Sequence, residues 1–541
     1  MKQIWLSQFQ ATDDLSRFRL AADYLRAHPG MTLVVPPGDY FWRIPEAVDL
    51  QLAVMRGECG RLPQNQLFTP DFPYAVGLDL TDCRDTTIIG YGARIYIDGF
   101  FEPVLLYRTR NVRLAGFHFD CVRKPYSKGR IIACDGETMT VDFAGQSMIS
   151  AAMPALRAVA ADANNLWRYA IVSLPSELTL TAVDSSRIRF QNFAWPEAVG
   201  MEFYLWHSFH FRPVIHLWEA ENTTLESIAI HAAHGMGVVG FHARDIVLRR
   251  CEVVPALGEA VSTNTDATHF AACRGSITVE GCHFCGHGDD AINVHAYYHT
   301  ITAAEGDSCS LELRAPTGTH TQKADRFFPG DRIELIDPAT LAVLERFTVK
   351  RFIALPNNHS KVGLDRPLPP MSTGKLLVNI DQLPALFFRH NLVTDHMGRS
   401  VLAKTRHVRI EANTFARSTG TAIQIAGEAE WAEGATAEDV LIRHNRILYC
   451  GRIAPRLWGV WRETGGIAVN LSAADSHAVA HRRIRIEENW IDCPQITHAV
   501  YAGNTDGMTV RRNMLHSKEA PLVCADCRKL CVEDNLEKTT P

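Results

Sequence analysis

The chain has 541 residues, of which 46% are hydrophobic and 21% charged, and its 55 Lys and Arg against 60 Asp and Glu give a formal net charge of -5. At about 150 residues per domain, this length predicts three to four domains or one elongated domain with insertions. The slightly negative charge and the lack of a Lys/Arg block argue against DNA or RNA as a partner.

The N-terminal sequence and the distribution of apolar residues predict a protein without a membrane segment. No run of about 18 or more apolar residues occurs, and the start MKQIWLSQFQATDD turns polar too early for a signal peptide. We therefore expect a cytoplasmic location for the sequence as given. An exported form with a trimmed signal stays open.

The first element in chain order is a helix predicted over residues 12–27. A Thr-Asp-Asp start can cap it, and four apolar side chains recur at steps of three and four residues. These side chains are Leu15, Phe18, Ala22 and Leu25. A short strand over 32–35 and a turn over 36–40 follow, as expected for a helix that covers the first strand of a long structure.

A weak repeat of short β-rich runs, each ended by a polar break, follows in the chain. Its clear copies are 245–251, 276–282, 407–413, 439–445 and 483–489. The spacing of the copies is compatible with coils of about 20 to 30 residues, which is typical of a solenoid. The sequence therefore predicts an all-β chain built around such a solenoid.

Two stretches that lack this repeat interrupt it. Their strand and turn signals predict inserted antiparallel β-barrel or β-sandwich modules. The first contains a hairpin signal at Asp135-Gly136, and the second alternates apolar and polar residues around turn residues. We expect five segments, with a pocket walled by the two modules. They are N-terminal helix and first coils at 1–121, module 1 at 122–212, central coils at 213–296, module 2 at 297–386 and C-terminal coils at 387–541.

The highest density of acidic and other polar side chains lies between the modules, in residues 262–270 and 286–295. Asp266 and Asp290 are 24 residues apart, one plausible coil, which would place them on adjacent rungs about 4.8 Å apart with Asp289 displaced along the strand. Nearby polar side chains favour a functional site over structural turn carboxylates. They are Asn264, His269, His287, Asn293 and His295.

Crowded carboxylates suit glycoside hydrolysis. Like charges cannot all ionise cheaply, so one carboxyl group stays protonated as an acid while another serves as a base. A separation of about 6.5 to 9.5 Å admits a water and suits inversion, whereas about 5 Å suits retention. Spacing does not decide which Asp takes which role. Ca²⁺ is an alternative that the neighbouring histidines argue against.

These two blocks carry a resemblance to a known family. They resemble the bacterial exo-α-1,3-galactosidases of glycoside hydrolase family 110. The resemblance implies a right-handed parallel β-helix with inserted β-barrel domains and inverting hydrolysis of terminal α-1,3-linked galactose, as in blood group B and linear structures. It also implies Asp266, Asp289 and Asp290 as catalytic carboxylates and Arg399 as a sugar-hydroxyl ligand.

The more distant polygalacturonases share an Asn-Thr-Asp and an Asp-Asp on adjacent coils, but their Gly-His-Gly followed by Arg-Ile-Lys is not found at the expected spacing. No basic cluster for a uronate lies near the site, so a neutral sugar is favoured. Polygalacturonase-like hydrolysis, a Ca²⁺-dependent lyase and a non-catalytic carbohydrate-binding solenoid stay open as alternatives. The predicted partner is an oligosaccharide with terminal α-galactose; a homodimer is left open.

Other residues have both structural and functional interpretations. The 14 Cys show no regular framework and predict reduced core thiols, and the isolated C-x-x-C pairs at 282–285 and 524–527 do not make a zinc site by themselves. We expect neither metal nor organic cofactor. Four tryptophans could stack on sugar, although core packing is favoured: Trp206, Trp218, Trp458 and Trp461. For His231 and His234, a role in the site and a role in packing are equally favoured. No G-x-S-x-G nucleophile elbow surrounds Ser262 or Ser400, so neither is expected to act as a nucleophile.

Overall fold

A computed structural model describes residues 2–67, 72–145, 149–164, 166–171, 173–208, 210–313, 325–451 and 465–540. The chain winds as a parallel β-helix with three faces, so that equivalent residues of successive coils pair in register. The predicted class, a right-handed parallel β-helix with two inserted antiparallel modules, is confirmed. Trp458 and Trp461 lie outside the described residues.

The first and second faces share one sheet because two long bent strands, Arg84–Asp98 and Arg110–Cys121, run through both. The first face also contains Lys2–Trp5, Met31–Val34, Glu221–Glu226, Arg244–Arg249, Arg274–Glu280, Ala385–Arg389, Arg406–Glu411, Glu438–Arg443, His481–Glu487, Thr505–Arg511 and Cys531–Glu533. The second face also contains Gly38–Arg43, Ala229–Ile230, Glu252–Val253, His283–Cys285, Leu392–Thr394, Thr414–Ala416, Arg446–Leu448, Trp490–Asp492, Met514–Ser517 and Leu536–Thr539.

The third face carries the functional loops at its edge. Its strands are Val76–Asp79, Glu102–Tyr107, Ile215–Trp218, Val238–Phe241, Thr268–Ala271, Ile292–Glu305, Val401–Lys404, Ile423–Ile425, Gly465–Val469, His498–Gly503 and Leu522–Ala525. Alternate residues of these strands, such as Phe270 and Val294, point into one continuous apolar core shared by all three faces. The residues between them therefore point outward.

The N-terminal helix, Asp14–Ala27, closes the first end of this core, as the apolar spacing predicts. Asp13 caps it by accepting a hydrogen bond of 2.8 Å from the Ser16 amide. The side chains of its inner stripe are buried and belong to the core of the β-helix. A second helix, Pro45–Met55, and the short Gln64–Leu67 follow.

Stacked asparagines occupy the turn between the first and second faces in the C-terminal coils. Each amide nitrogen donates to the side-chain oxygen of the next coil, as Asn445 does to Asn489 at 3.0 Å. The residues of this ladder are Asn391, Asn413, Asn445, Asn489, Asn513 and Asn535. The residue before each rung has a positive φ, for example 57° at His444. Three of the five repeat copies, 407–413, 439–445 and 483–489, therefore end in a hydrogen-bonded turn of this ladder.

Module 1 is an antiparallel sheet inserted where the second face turns into the third. Its strand order is Trp167–Ile171, Arg157–Ala161, Glu202–Trp206, Tyr126–Asp135, Thr138–Asp142, Arg187–Gln191 and Thr179–Ala182. The hairpin predicted at Asp135-Gly136 joins two of these strands. Trp206 and Trp167 pack with Val261 and Met397 of the β-helix in one buried cluster. The module is therefore anchored on the loops that carry the predicted acidic site.

Module 2 is inserted where the third face turns into the first, and it closes into a six-stranded antiparallel barrel in the described residues. Around the barrel the strands are the distal part of Ile292–Glu305, then Ser308–Glu312, His359–Leu364, Val343–Ala354, Arg332–Ile336 and Leu376–Asn379. The first strand begins on the third face. The barrel is therefore continuous with the strand that follows Asp290.

None of the described helices is long and apolar enough to cross a membrane.

Candidate active site

The predicted acidic residues lie on loops of consecutive coils, each running from the second to the third face. Thr268 pairs with Ile292 in register, so the 24-residue coil predicted between Asp266 and Asp290 is confirmed. The loops are tied by main-chain bonds: the Ala267 amide donates to the Asp290 carbonyl at 2.9 Å, and the Ala291 amide to the Arg399 carbonyl at 3.0 Å. Asp266, Asp290 and Arg399 therefore occupy three successive rungs.

Asp290 is held by Arg399. The Arg399 main-chain amide donates to Oδ1 and its guanidinium donates to Oδ2, both at 2.7 Å. Burial raises the pKa of Asp290, the charge of Arg399 opposes this, and the charge of Asp289 adds to it. Two strong donors on both oxygens favour the ionised carboxylate.

Asp266 is held by a chain of two histidines. Its Oδ2 lies 2.7 Å from Nδ1 of His269, whose Nε2 lies 2.9 Å from Nε2 of His295. Nδ1 of His295 donates to the Ala296 carbonyl at 2.8 Å, because a carbonyl can only accept. His295 Nε2 is then the acceptor, His269 Nε2 is the donor, and the proton on His269 Nδ1 faces the Asp266 carboxylate.

The pKa of His269 favours an imidazolium in this pair. Burial opposes a charge on His269, but the hydrogen bond and charge of Asp266 outweigh it and raise the pKa of His269. Burial lowers the pKa of His295 to about 3, so its ring stays neutral. Burial also raises the pKa of Asp266, against the effect of His269. The short bond favours the ionised form of Asp266.

Asp289 has the weakest hold of the three carboxylates. Its side chain is the most exposed of them, and its partner is the Arg157 guanidinium at 3.2 Å. Burial raises the pKa of Asp289, Arg157 opposes this, and the charge of Asp266 adds to it. Asp289 is therefore the carboxyl group on which a proton costs least.

Gly398 lets the carboxylates converge. A Cβ on this residue would lie 2.6 Å from Oδ1 of Asp290 and 2.9 Å from Oδ1 of Asp289, and its φ is 75°. Among the described residues, the three aspartates do not form a group with ligand oxygens within 4.8 Å of one another. They are close enough to influence one another electrostatically, but they do not form a compact cage of the kind that Ca²⁺ occupies.

Histidines and a carboxylate form the one group in the described chain with metal-ligand spacing: His269, His295 and Glu433. Two cations already occupy its surroundings. The proton of the His269–His295 hydrogen bond lies between the two ring nitrogens, and the Lys404 ammonium contacts Glu433 and also Glu428 at 2.6 Å. A divalent ion would have to displace both, so this group fits a hydrogen-bonded network better than a metal site.

The remaining predicted ligands divide into two groups. Asn293 points outward beside Glu433, at 3.4 Å, so it lies with His269 and His295. Asn264 is buried, and its amide nitrogen lies within hydrogen-bond distance of three main-chain carbonyls, including that of Ser208, and of the Ser208 hydroxyl, which ties module 1 to the β-helix. His287 is also buried, where it donates to the Asp289 carbonyl at 2.7 Å and stacks on His396. Asn264 and His287 therefore support the conformation of the loops through buried contacts with the main chain.

Four charged residues of the site were missed by sequence reasoning. Arg157 comes from module 1, and Lys404, Glu428 and Glu433 form a buried ion-pair group next to His295. Glu428 also contributes electrostatically to Arg399. One sequence signal could have found Lys404: if the insert 297–386 is left out of the residue numbering, Lys404 takes the position of His295 on the next coil.

The other singled-out residues are placed in packing. Trp206 is fully buried, while Trp218 is half-buried beside His216. His231 donates to the Val254 carbonyl and His234 packs edge-on to Phe100. The Ser262 hydroxyl donates to the Cys285 carbonyl at 2.7 Å, and Ser400 contacts His396. All 14 cysteines are free thiols.

No family model matches the chain. An alpha-1,3-galactosidase A of Bacteroides fragilis is 26% identical over 502 residues, covering 86% of this chain and 81% of that protein. An alpha-1,3-galactosidase B of Bacteroides thetaiotaomicron is 23% identical over 564 residues, covering 95% and 87%. An alpha-1,3-galactosidase B of Akkermansia muciniphila is 31% identical over 239 residues, covering 43% and 30%.

The chain is similar to alpha-1,3-galactosidases over most of its length. This similarity supports the resemblance found in the sequence and supports glycoside hydrolase activity. Among solved structures, the catalytic unit of a GH87 alpha-1,3-glucanase from Streptomyces thermodiastaticus covers 99% of this chain and 68% of its own, at 11% identity and a TM-score of 0.42.

Proposed function

We propose that the protein is an exo-α-1,3-galactosidase of glycoside hydrolase family 110 that releases terminal galactose with inversion. The observation that carries this proposal is the unequal environment of three carboxylates on adjacent coils. Asp266 and Asp290 are each held by donors at 2.7 Å, while Asp289 has a partner at 3.2 Å. The similarity to alpha-1,3-galactosidases supplies the substrate class.

In the proposed reaction, Asp289 is the general acid. Burial and the neighbouring carboxylates favour its protonated form, and it donates this proton to the glycosidic oxygen as the bond to the anomeric carbon breaks. The leaving saccharide keeps that proton. Asp289 is then an anion that Arg157 stabilises.

Asp266 is the proposed general base. Its bond to His269 engages Oδ2, so Oδ1 can accept a proton from a water that attacks the opposite face of the sugar. The new bond forms between this water and the anomeric carbon, and the product is β-galactose. Asp290, fixed by Arg399, contributes negative charge next to the oxocarbenium-like transition state.

The buried ion-pair group fits a neutral sugar. Lys404, Glu428 and Glu433, together with Asn293, offer donors and acceptors of both signs beside the carboxylates. Sugar hydroxyl groups need such alternating partners, and each hydroxyl both donates and accepts. We propose that this group and Arg399 bind the galactose hydroxyls.

Proton NMR of the reaction with galactose-α-1,3-galactose tests the proposal. We expect free galactose whose first detected anomer is β, and much slower release from the α-1,4 and α-1,6 isomers. Asp290→Asn serves as the inactive blank because it keeps the size of the side chain. An α anomer appearing first would contradict inversion, and no release from any α-galactoside would reject the enzyme assignment in favour of a binding solenoid.

An unsaturated ultraviolet-absorbing product from a uronate polymer, lost on addition of chelator, would instead indicate the lyase alternative.

A further inference from the structure

A charged groove lies at the end of the third-face strands opposite the proposed active site. It has a volume of about 550 Å³ and follows the corner where the third face turns into the first, up to Phe328 of module 2. Asp266 precedes the strand Thr268–Ala271, whereas His242, which lines the groove, follows the neighbouring strand Val238–Phe241. Four strand residues span about 13 Å, so the groove is separate from the proposed active site.

The groove follows a row of charged residues that pair in register on successive coils of the β-helix. Arg84 pairs with Arg110, Arg110 with Glu221, Glu221 with Arg244, and Arg244 with Arg274. Five rungs at about 4.8 Å give a row of charged side chains about 20 Å long. The groove is therefore produced by the repeat itself and not by a mobile loop.

The groove is basic on a chain whose net charge is -5. Six arginines line it: Arg84, Arg108, Arg110, Arg244, Arg274 and Arg326. Three carboxylates lie among them: Asp82, Glu219 and Glu221. In the part of the chain that the structure describes, Arg84 and Arg244 have no carboxylate oxygen within 4.0 Å, while the other four arginines form ion pairs.

A comparable groove on module 2 is lined by arginines that are all paired with carboxylates. That groove has a volume of about 540 Å³ and is lined by four arginines, each of which pairs with an Asp or Glu. They are Arg332, Arg346, Arg366 and Arg406. The unpaired guanidinium groups of Arg84 and Arg244 therefore distinguish the first groove from the groove on module 2.

His242 is a buried residue of the groove lining. Its side chain is 4% exposed, its Nε2 lies 3.0 Å from Asp325, and its Nδ1 is buried without a partner in the described residues. A buried ring nitrogen without a partner loses the hydrogen bond it would make in water. Phe328 offers an aromatic surface nearby, with Arg274 and Arg326 over its ring at 5.1 and 4.8 Å.

We propose that this groove binds an acidic saccharide, with one sulfate ester or carboxylate of the saccharide on Arg84 and another on Arg244, three rungs away. The guanidinium fork matches both oxyanions. Asp82, Glu219 and Glu221 can accept hydrogen bonds from sugar hydroxyls, and they would repel a continuous polyphosphate, which disfavours nucleic acid. The volume is that of a small-ligand site. This proposal does not depend on the galactosidase assignment.

Isothermal titration calorimetry at low salt tests the groove with four probes: trigalacturonate, maltotriose sulfated at its primary hydroxyls, unmodified maltotriose and a ten-residue oligothymidylate. We expect the two acidic saccharides to bind, with affinity that falls as salt rises. Comparison of the sulfated maltotriose with trigalacturonate shows whether the groove prefers a sulfate ester or a carboxylate. In Arg84→Gln/Arg244→Gln, affinity for the preferred probe should fall by about a hundredfold, or roughly tenfold for each charge-assisted contact.

Arg483→Gln/Arg512→Gln is the matched control, because it removes two exposed arginines and the same net charge far along the first face. It should bind like the unmodified protein. Equal weakening in both double variants would reduce the effect to net charge and overturn the site. Binding of the oligothymidylate in preference to the saccharides, or no binding of any acidic probe, would also overturn it.

Discussion

Asp289→Asn gives the sharpest test of the proposed division of roles. The amide keeps the size of the carboxyl group and can still accept the Arg157 hydrogen bond at 3.2 Å, but it has no transferable proton. Because this contact is single and long, we expect little change in KM. A positioned general acid contributes about 10² to 10⁴ in rate, so kcat on galactose-α-1,3-galactose should fall by roughly a thousandfold.

The leaving group separates this loss from general damage. 4-Nitrophenolate departs without protonation, so on 4-nitrophenyl α-galactoside the variant should lose less than about tenfold. Activity of the unmodified enzyme on the disaccharide should decline as pH rises through the raised pKa of Asp289, since the acid loses its proton there. The variant should lack this decline.

Initial rates by galactose release and by nitrophenolate absorbance, across pH 4 to 9, provide the measurement. Asp184→Asn, at an exposed carboxylate of module 1, is the control and should match the unmodified enzyme on both substrates. An equal loss on both substrates, or a retained basic limb in Asp289→Asn, would refute Asp289 as the acid.

Three further predictions concern the scaffold. Gly398→Ala should reduce kcat at least tenfold, because the new Cβ meets both carboxylates, whereas Gly374→Ala, at φ 84° with nothing within 4 Å, should show only the backbone cost of about 1 to 2 kcal/mol. Burial lowers the pKa of His481 from 6.5 to about 4, so the unfolded chain takes up the proton first as pH falls. In urea unfolding, the free energy of unfolding should therefore fall by about 3 kcal/mol between pH 6.5 and 4 because of this residue. His481→Gln should remove this loss, and a variant whose unfolding free energy depends on pH as before would contradict the prediction. Asn445→Ala should cost about 3 kcal/mol by urea unfolding because it leaves buried ladder groups unpaired, and Asn535→Ala, at the end of the ladder, clearly less; equal costs would show that the ladder does not act as a chain.

The solenoid was accessible from the sequence because its signal is local. The β-rich runs and their polar breaks, such as Asn413 and Asn445, recur at each turn of the helix. The pairing of the Asp266 and Asp290 coils followed from a single count of 24 residues, because no insertion separates them. Local repetition and short loops are what make register predictable.

The rest of the site depends on long-range geometry. Arg157 reaches Asp289 from a module inserted more than a hundred residues earlier, and Lys404 meets His295 only after the barrel is skipped. The His269–His295 bond requires outward-facing side chains on neighbouring strands that are offset by two residues. No spacing rule gives these contacts, because each depends on how an inserted domain packs.

The asparagine ladder has a consequence for how such a protein can change. Each rung fixes where the next coil begins, so an insertion within one of these coils must leave and return at the same height. A single extra residue between Asp266 and Asp290 would instead disturb the register in which the loops of these two coils are hydrogen-bonded. Whole domains can therefore be gained or lost at the corners, while one added residue within this coil would abolish the chemistry.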